Sequence, residues 1–145
     1  MPHAYILLFL EPKDKYPTPD HTDRIISTEL PDSQYDPIAY EIVRQLIIHG
    51  PCGIMNPRCS CMKNGKCSKN YPKQFRPITT IDEDGFSNYR RRDDGKTVNV
   101  GKHTLENRSI VPYNIDLLVK YQSHMNVEWC NRSCIIKYLF KYINK

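Results

Sequence analysis

His49-Gly50-Pro51-Cys52-Gly53-Ile54-Met55-Asn56-Pro57-Arg58-Cys59-Ser60-Cys61-Met62-Lys63-Asn64-Gly65-Lys66-Cys67 places four cysteines within sixteen residues, in the pattern C-x6-C-x-C-x5-C. The intervening Gly53, Asn56, Pro57, Asn64 and Gly65 suit a tight loop wrapped around an ion. Thiolates bind Zn²⁺ tetrahedrally, and a structural site of this kind contributes folding energy directly. Cys52, Cys59, Cys61 and Cys67 are therefore candidate ligands of a structural zinc. His49, His103, Cys130 or Cys134 can replace one of them. The spacing is not that of a standard finger, so four free cysteines stand as the alternative. No general base lies beside the cysteines, which argues against a catalytic zinc.

Composition narrows the setting. The chain has 145 residues, enough for one domain with its own core. Only 39% of it is hydrophobic, and no apolar run approaches the roughly 20 residues of a membrane-spanning helix, so no membrane partner is expected. Residues 4–10 are apolar but lack a basic region before them and a small-residue cleavage site after them, which makes a poor signal peptide. With no sign of secretion, six cysteines fit a reducing compartment and a metal site better than disulfides. A net charge of +5 is compatible with a polyanionic partner and equally with simple solubility.

Upstream of the cysteines, residues 2–10 are β-rich and apolar on both faces, as in a central strand, with His3, Tyr5, Leu7 and Phe9 on one side. A central strand at the very start of a chain suggests that part of the fold lies further upstream. Residues 11–35 read as a loop with one helical turn near Asp23 to Ile26. Asp36 as N-cap and Pro37 at the first position open a helix whose stripe is Ile38, Ile42, Val43, Leu46 and Ile47, ended by Gly50.

Downstream, residues 69–111 read as β-hairpins turning at Asp84-Gly85 and Asp94-Gly95. Between those turns Tyr89, Arg90, Arg91 and Arg92 form a basic, aromatic strand, with Arg90 and Arg92 on one face and Arg91 on the other. Such a strand can track a phosphate backbone and offer Tyr89 or Phe86 to a base; it can equally be an edge strand protected by charge. A short helix follows at residues 115–120. Gln122, His124, Asn126 and Glu128 then alternate with Ser123, Met125, Val127 and Trp129, giving a polar row that is either solvated or lines a site. Asn131 caps a final helix. Ile135, Ile136, Leu139, Phe140 and Ile143 form its apolar arc, with Tyr138, Tyr142, Lys141 and Lys145 opposite. Lysines beside tyrosines bind phosphate and favour the phenolate, or merely decorate a solvated face.

Taken in order, these pieces resemble a known family. His3-Ala4-Tyr5, the cysteine cluster, Asn126-Val127-Glu128-Trp129-Cys130 and Lys137-Tyr138-Leu139-Phe140-Lys141-Tyr142-Ile143-Asn144-Lys145 resemble the replication-initiator region of Helitron transposons, the "Helitron helicase-like" N-terminal domain. Its members are HUH endonucleases with two tyrosines. The similarity runs along essentially the whole chain, through short blocks at 49–52, 65–68, 82–86, 89–93, 111–114, 126–130 and 137–145.

The resemblance implies one α+β domain over residues 1–145: an antiparallel sheet with helices packed on it, HUH-endonuclease-like and N-terminally truncated. A Cys-rich zinc-binding loop occupies about 49–70 and a hairpin region about 71–111. It further implies nicking and rejoining of single-stranded DNA in the nucleus, with a helicase domain downstream in a longer parent protein. Tyr138 and Tyr142 are the implied nucleophiles, Lys141 and Lys145 phosphate contacts, and Arg90, Arg91, Arg92 and Tyr89 nucleic-acid contacts. His3 is the implied ligand of Mg²⁺ or Mn²⁺, with His124 or Glu128 as further candidates. The family pattern is His-hydrophobic-His, and Tyr5 stands where the second histidine belongs, so impaired activity is expected. A binding module without catalysis, or a decayed transposon remnant, is the alternative. No Gly-x4-Gly-Lys-Ser/Thr occurs, so this segment carries no helicase motor.

Overall fold

The computed structural model of the chain describes residues 6–11, 13, 18–83 and 86–129. Among these residues, three α-helices and three two-stranded antiparallel sheets give an α+β arrangement. Helix α1 (Pro19–Ile25) starts at Thr18, whose hydroxyl accepts from His21 N–H, and Pro19 takes the first helical position. Helix α2 (Pro37–Leu46) begins as its sequence dictates. Asp36 accepts from Ala39 N–H at 3.0 Å, satisfying a donor that the first turn leaves unpaired. Helix α3 (Ile115–Tyr121) is capped by Asn114, which accepts from Leu117 N–H at 2.9 Å.

The strands are short hairpins: β1 (Met62–Lys63) with β2 (Lys66–Cys67), β3 (Thr80–Ile81) with β4 (Ser87–Asn88), and β5 (Thr97–Val100) with β6 (His103–Glu106). The expected single sheet is thus divided into three. Isolated bridges join the pieces, Ser27 to Tyr113, Ile48 to Ile110 and Arg76 to Arg91. Asp94-Gly95 is not a hairpin turn. Asp94 instead accepts from Lys96 N–H and from Asn107 Nδ2, and the β5–β6 hairpin turns at Gly101-Lys102. Gly101 takes φ of 60° there, as the first loop residue of a tight hairpin requires. Asp84-Gly85 lies outside the described residues.

The N-terminal run departs most from expectation. Residues 6–10 form no strand, and Ile6 and Phe9 are each 80% exposed. A strand apolar on both faces needs neighbours on both sides, and every described strand is already paired with its own hairpin partner. His3 and Tyr5, on the same run, lie outside the described residues.

The core joins α2, the β5–β6 hairpin and α3 through Leu30, Val43, Ile47, Val98, Leu105, Ile110, Tyr113 and Leu118. On α2 the buried positions are Ala39 and Val43, followed by Ile47 at the cap, with Ile42 and Leu46 half-buried. Ile38, expected in the stripe, is 66% exposed, because the buried row runs through Ala39, Val43 and Ile47 and position 38 stands about 100° to one side of it.

A polar seam crosses this core. Leu30 N–H donates to Asn107 Oδ1 at 2.8 Å, and the Tyr113 hydroxyl donates to the Glu29 carbonyl at 2.8 Å. The Glu29 carboxylate receives the backbone N–H, Nε and Nη2 of Arg92, the last at 2.6 Å. Burial raises the Glu29 pKa, but the hydrogen bonds and charge of Arg92, with the charge of Arg90, outweigh it and hold it below the usual 4.5. A carboxylate with a depressed folded pKa stabilises fully above its unfolded value and loses that contribution as pH falls through the folded one. Urea midpoints should therefore drop as the pH is lowered below about 4.5, and Glu29→Gln should be less stable at neutral pH with a flatter acid limb. An unchanged acid limb in the variant would assign the acid sensitivity to other carboxylates.

Candidate metal centre

The cysteine arm leaves the core just after the bridge between Ile48 and Ile110, and His49 N–H is held by the Ser109 carbonyl at 2.8 Å. From there local turns dictate the path. Gly53, at φ of 66°, starts a turn closed by Asn56 N–H on its carbonyl, and Cys59 N–H bonds the Asn56 carbonyl. Asn64 (φ 50°) and Gly65 (φ 76°) then form the two-residue loop between β1 and β2, and paired positive φ values are what an Asn-Gly type I′ turn demands. Side chains alternate along these strands. Met62 and Cys67 turn inward, where Gly53 N–H meets Met62 Sδ at 3.2 Å, while Lys63 and Lys66 turn out.

The result is a cluster in which His49, Cys52, Cys61 and Cys67 bring one ligand atom each to within 4.8 Å of one another. His49 Nε2 lies 3.5 Å from Cys67 Sγ. In a tetrahedral zinc site with Zn–S of about 2.3 Å and Zn–N of about 2.0–2.1 Å, the nitrogen–sulfur edge comes to roughly 3.6 Å. The donor set fits a metal such as zinc, and four protein donors make the closed arrangement of a structural site rather than a catalytic one. Cys59, expected as a ligand, stands beside the set with its sulfur 3.5 Å from that of Cys61, and His49 completes the four. His103 lies on β6, outside the set.

Electrostatics suit an ion here. Burial, and then Lys73 and Lys69, hold the His49 pKa below its usual value, which keeps the imidazole neutral and able to ligate. Burial opposes the Cys67 thiolate, but the N–H groups of Tyr71 and Lys69 and the neighbouring Cys61 and Cys52 outweigh it and lower its pKa. The Cys61 thiol is pushed up to about 12, first by burial and then by the thiols around it. Thiols this close compete for negative charge, and a divalent cation removes the conflict by deprotonating its ligands outright. The ring of Tyr71 stacks on His49, with centroids 4.1 Å apart and planes 12° from parallel, and this fixes the imidazole plane.

Tyr71 also brings the arm up to Arg91 of the core, whose positive charge opposes the burial that raises the Tyr71 pKa. Arg91 is 4% exposed, and its Nη1 donates to the carbonyls of Asn107 at 2.8 Å, Ile110 at 2.6 Å and Thr28 at 3.4 Å. The expected phosphate-tracking strand is thus largely consumed internally. Arg90 pairs with Asp23 and Glu29, and Arg92 with Glu29. Tyr89 is buried, and its hydroxyl accepts from Trp129 N–H at 2.8 Å, so its ring is not a free stacking surface. The alternation predicted for 122–129 survives from residue 124 as exposure and not as a strand, Ser123 being exposed like Gln122. His124, Asn126 and Glu128 are exposed, while Met125, Val127 and Trp129 are half-buried. Glu128 accepts from Asn126 Nδ2 at 2.8 Å. Tyr138, Lys141, Tyr142, Lys145, Cys130, Cys134 and His3 lie outside the described residues.

No family model and no curated protein matches the chain. Sequence reading did not assign a role to Tyr71 or to Arg91 as an anchor. Neither carries a local signal, because their significance arises only where the cysteine arm meets the 27–30 segment.

Proposed function

We propose that this chain is a zinc-stabilised segment of a Helitron-type rolling-circle replication initiator with the HUH-endonuclease fold, acting on single-stranded DNA and impaired by Tyr5. The observation that supports it is the closure of His49, Cys52, Cys61 and Cys67 around one point, because His49, Cys52 and Cys67 belong to the blocks that carry the resemblance. Zinc in this site holds the arm to the core. The chemistry is assigned to the closing segment. The phenolic oxygen of Tyr138 or Tyr142 attacks phosphorus, the P–O3′ bond breaks, and the 3′ oxygen leaves as a hydroxyl after taking up a proton. The phosphodiester's energy is kept in a 5′-phosphotyrosine, so the second tyrosine can serve a later strand transfer. His3, with His124 or Glu128, would hold Mg²⁺ or Mn²⁺, which supplies Lewis-acid polarisation of the scissile phosphate. Lys141 and Lys145 orient that phosphate.

Tyr5 gives the test. Neutral tyrosine is a poor ligand for a hard divalent ion compared with imidazole or carboxylate. Incubated with single-stranded DNA and Mn²⁺, the chain should yield little covalent adduct, and Tyr5→His should raise the yield about tenfold or more, with Tyr138→Phe/Tyr142→Phe abolishing it. Absence of adduct in Tyr5→His would overturn the nickase assignment. Abundant adduct in the native chain would overturn the impairment.

A further inference from the structure

Residues 49–81 contain no Asp or Glu and six basic side chains, Arg58, Lys63, Lys66, Lys69, Lys73 and Arg76, while the whole chain carries only +5. The rest of the protein is therefore close to neutral, and its positive charge is concentrated on the cysteine arm. Several basic groups elsewhere are spent internally: Arg44, Arg90, Arg92, Lys96 and Arg108 each pair with a carboxylate. Arg58, Lys63, Lys66 and Lys69 are exposed and form no ion pair among the described residues.

The hairpin aligns two of these charges. Lys63 and Lys66 are direct cross-strand partners beside the Asn64-Gly65 turn, which puts their Cβ atoms about 4.5–5.5 Å apart on one face. Like charges placed directly opposite destabilise a hairpin, so the pair carries a cost that a bound anion would offset. Their face points away from the sulfur cluster, and the loaded site would leave the arm strongly positive. Three thiolates and a neutral imidazole around a dication contribute only −1. The turn from Gly53 to Asn56 packs against β1 through Met62, and at its tip Ile54 is wholly exposed and Met55 partly so. Unpaired cations beside exposed apolar side chains suit a strand whose unstacked bases can rest an apolar face there, and a regular duplex hides those bases.

We propose that the outer face of the cysteine arm, centred on Lys63 and Lys66 with Lys69 and Arg58, is the binding surface for single-stranded nucleic acid, in place of the arginine strand at 90–92. The proposal rests on the nucleic-acid part of the function proposed above and is independent of the tyrosine chemistry. Its test is fluorescence anisotropy of a labelled dT 20-mer with the full zinc-loaded chain across a salt series. Lys63→Glu/Lys66→Glu should weaken binding at least tenfold and shallow the slope of log K against log salt by about 1.4, at roughly 0.7 per lost single-strand phosphate contact. Lys63→Gln/Lys66→Gln should show a smaller loss with the same change of slope, while Lys120→Glu on α3 should stay within about twofold of native. Retained zinc content in each variant shows that the arm is intact; if the Glu variant loses zinc, the Gln variant decides. Native-like affinity in the deciding variant, no native binding at low salt, equal affinity for duplex, or binding only to anionic phosphatidylserine vesicles would each overturn the proposal. Intact lysine-dependent binding with no covalent adduct in Tyr5→His sinks the nickase reading alone.

Discussion

Cys61→Ser and Cys67→Ser should each lose zinc, while Cys59→Ser keeps one zinc per chain. Loss of an outer-shell partner already costs metal sites about 10–100-fold in affinity, and these two sulfurs belong to the donor set itself. Cys59 has its sulfur beside Cys61 and outside the mutual set, so its removal leaves four donors. His49→Ala should behave like the two ligand variants and also release the ring of Tyr71 stacked on it. Apparent binding energies of structural zinc sites run to about 10–16 kcal/mol at neutral pH, so stripping the metal should unfold the arm, whose described hairpin is only two residues per strand. Zinc content after gel filtration and amide exchange over residues 49–71 measure both effects. Zinc loss in Cys59→Ser equal to that in Cys61→Ser would mean that the fourth ligand is Cys59 and not His49. Acid should release the metal as well, since protons compete for the thiolates and the imidazole.

Arg91→Ala should be the most destabilising substitution in the core, by about 3–5 kcal/mol. It strands the carbonyls of Ile110 and Thr28 away from water, while that of Asn107 keeps the Ile110 N–H, and each stranded group costs about 1–3 kcal/mol when left unpaired. It also opens a cavity beside Tyr71. Burial holds the Arg91 guanidinium below the usual arginine pKa, with Tyr71 acting in the opposite sense, which marks it as an anchor desolvated for its hydrogen bonds. Arg91→Lys should recover only part of the loss, because an ammonium lacks the planar fork that reaches several carbonyls at once. Urea denaturation reads the stability, and zinc affinity of the same variants reads the link to the arm. A loss under about 1 kcal/mol would show that water replaces the guanidinium.

Local chemistry was legible in advance wherever one residue and its near neighbours sufficed. Asp36-Pro37 started a helix, a second short helix began at Ile115, and Asn64-Gly65 made a tight loop. Positions depending on distant partners were not legible in the same way. Ile6, Leu8 and Phe9 have the composition of a central strand, and composition says nothing of whether a neighbour strand is at hand. Arg90, Arg91 and Arg92 looked free because Glu29, more than sixty positions earlier, is invisible to a local pattern.

The sequence by itself determined that a metal such as zinc has a candidate home between residues 49 and 67, because four cysteines among turn-forming residues leave few other economical uses. The pairing of β1 with β2, not read from the sequence, turns Lys63 and Lys66 away from Cys67, since side chains alternate along each strand. Only the tertiary structure decided that His49 and not Cys59 completes the cluster. A ligand is chosen by distance in space, and the anchoring of His49 to Ser109 brings it to 3.5 Å from Cys67 across eighteen positions of chain.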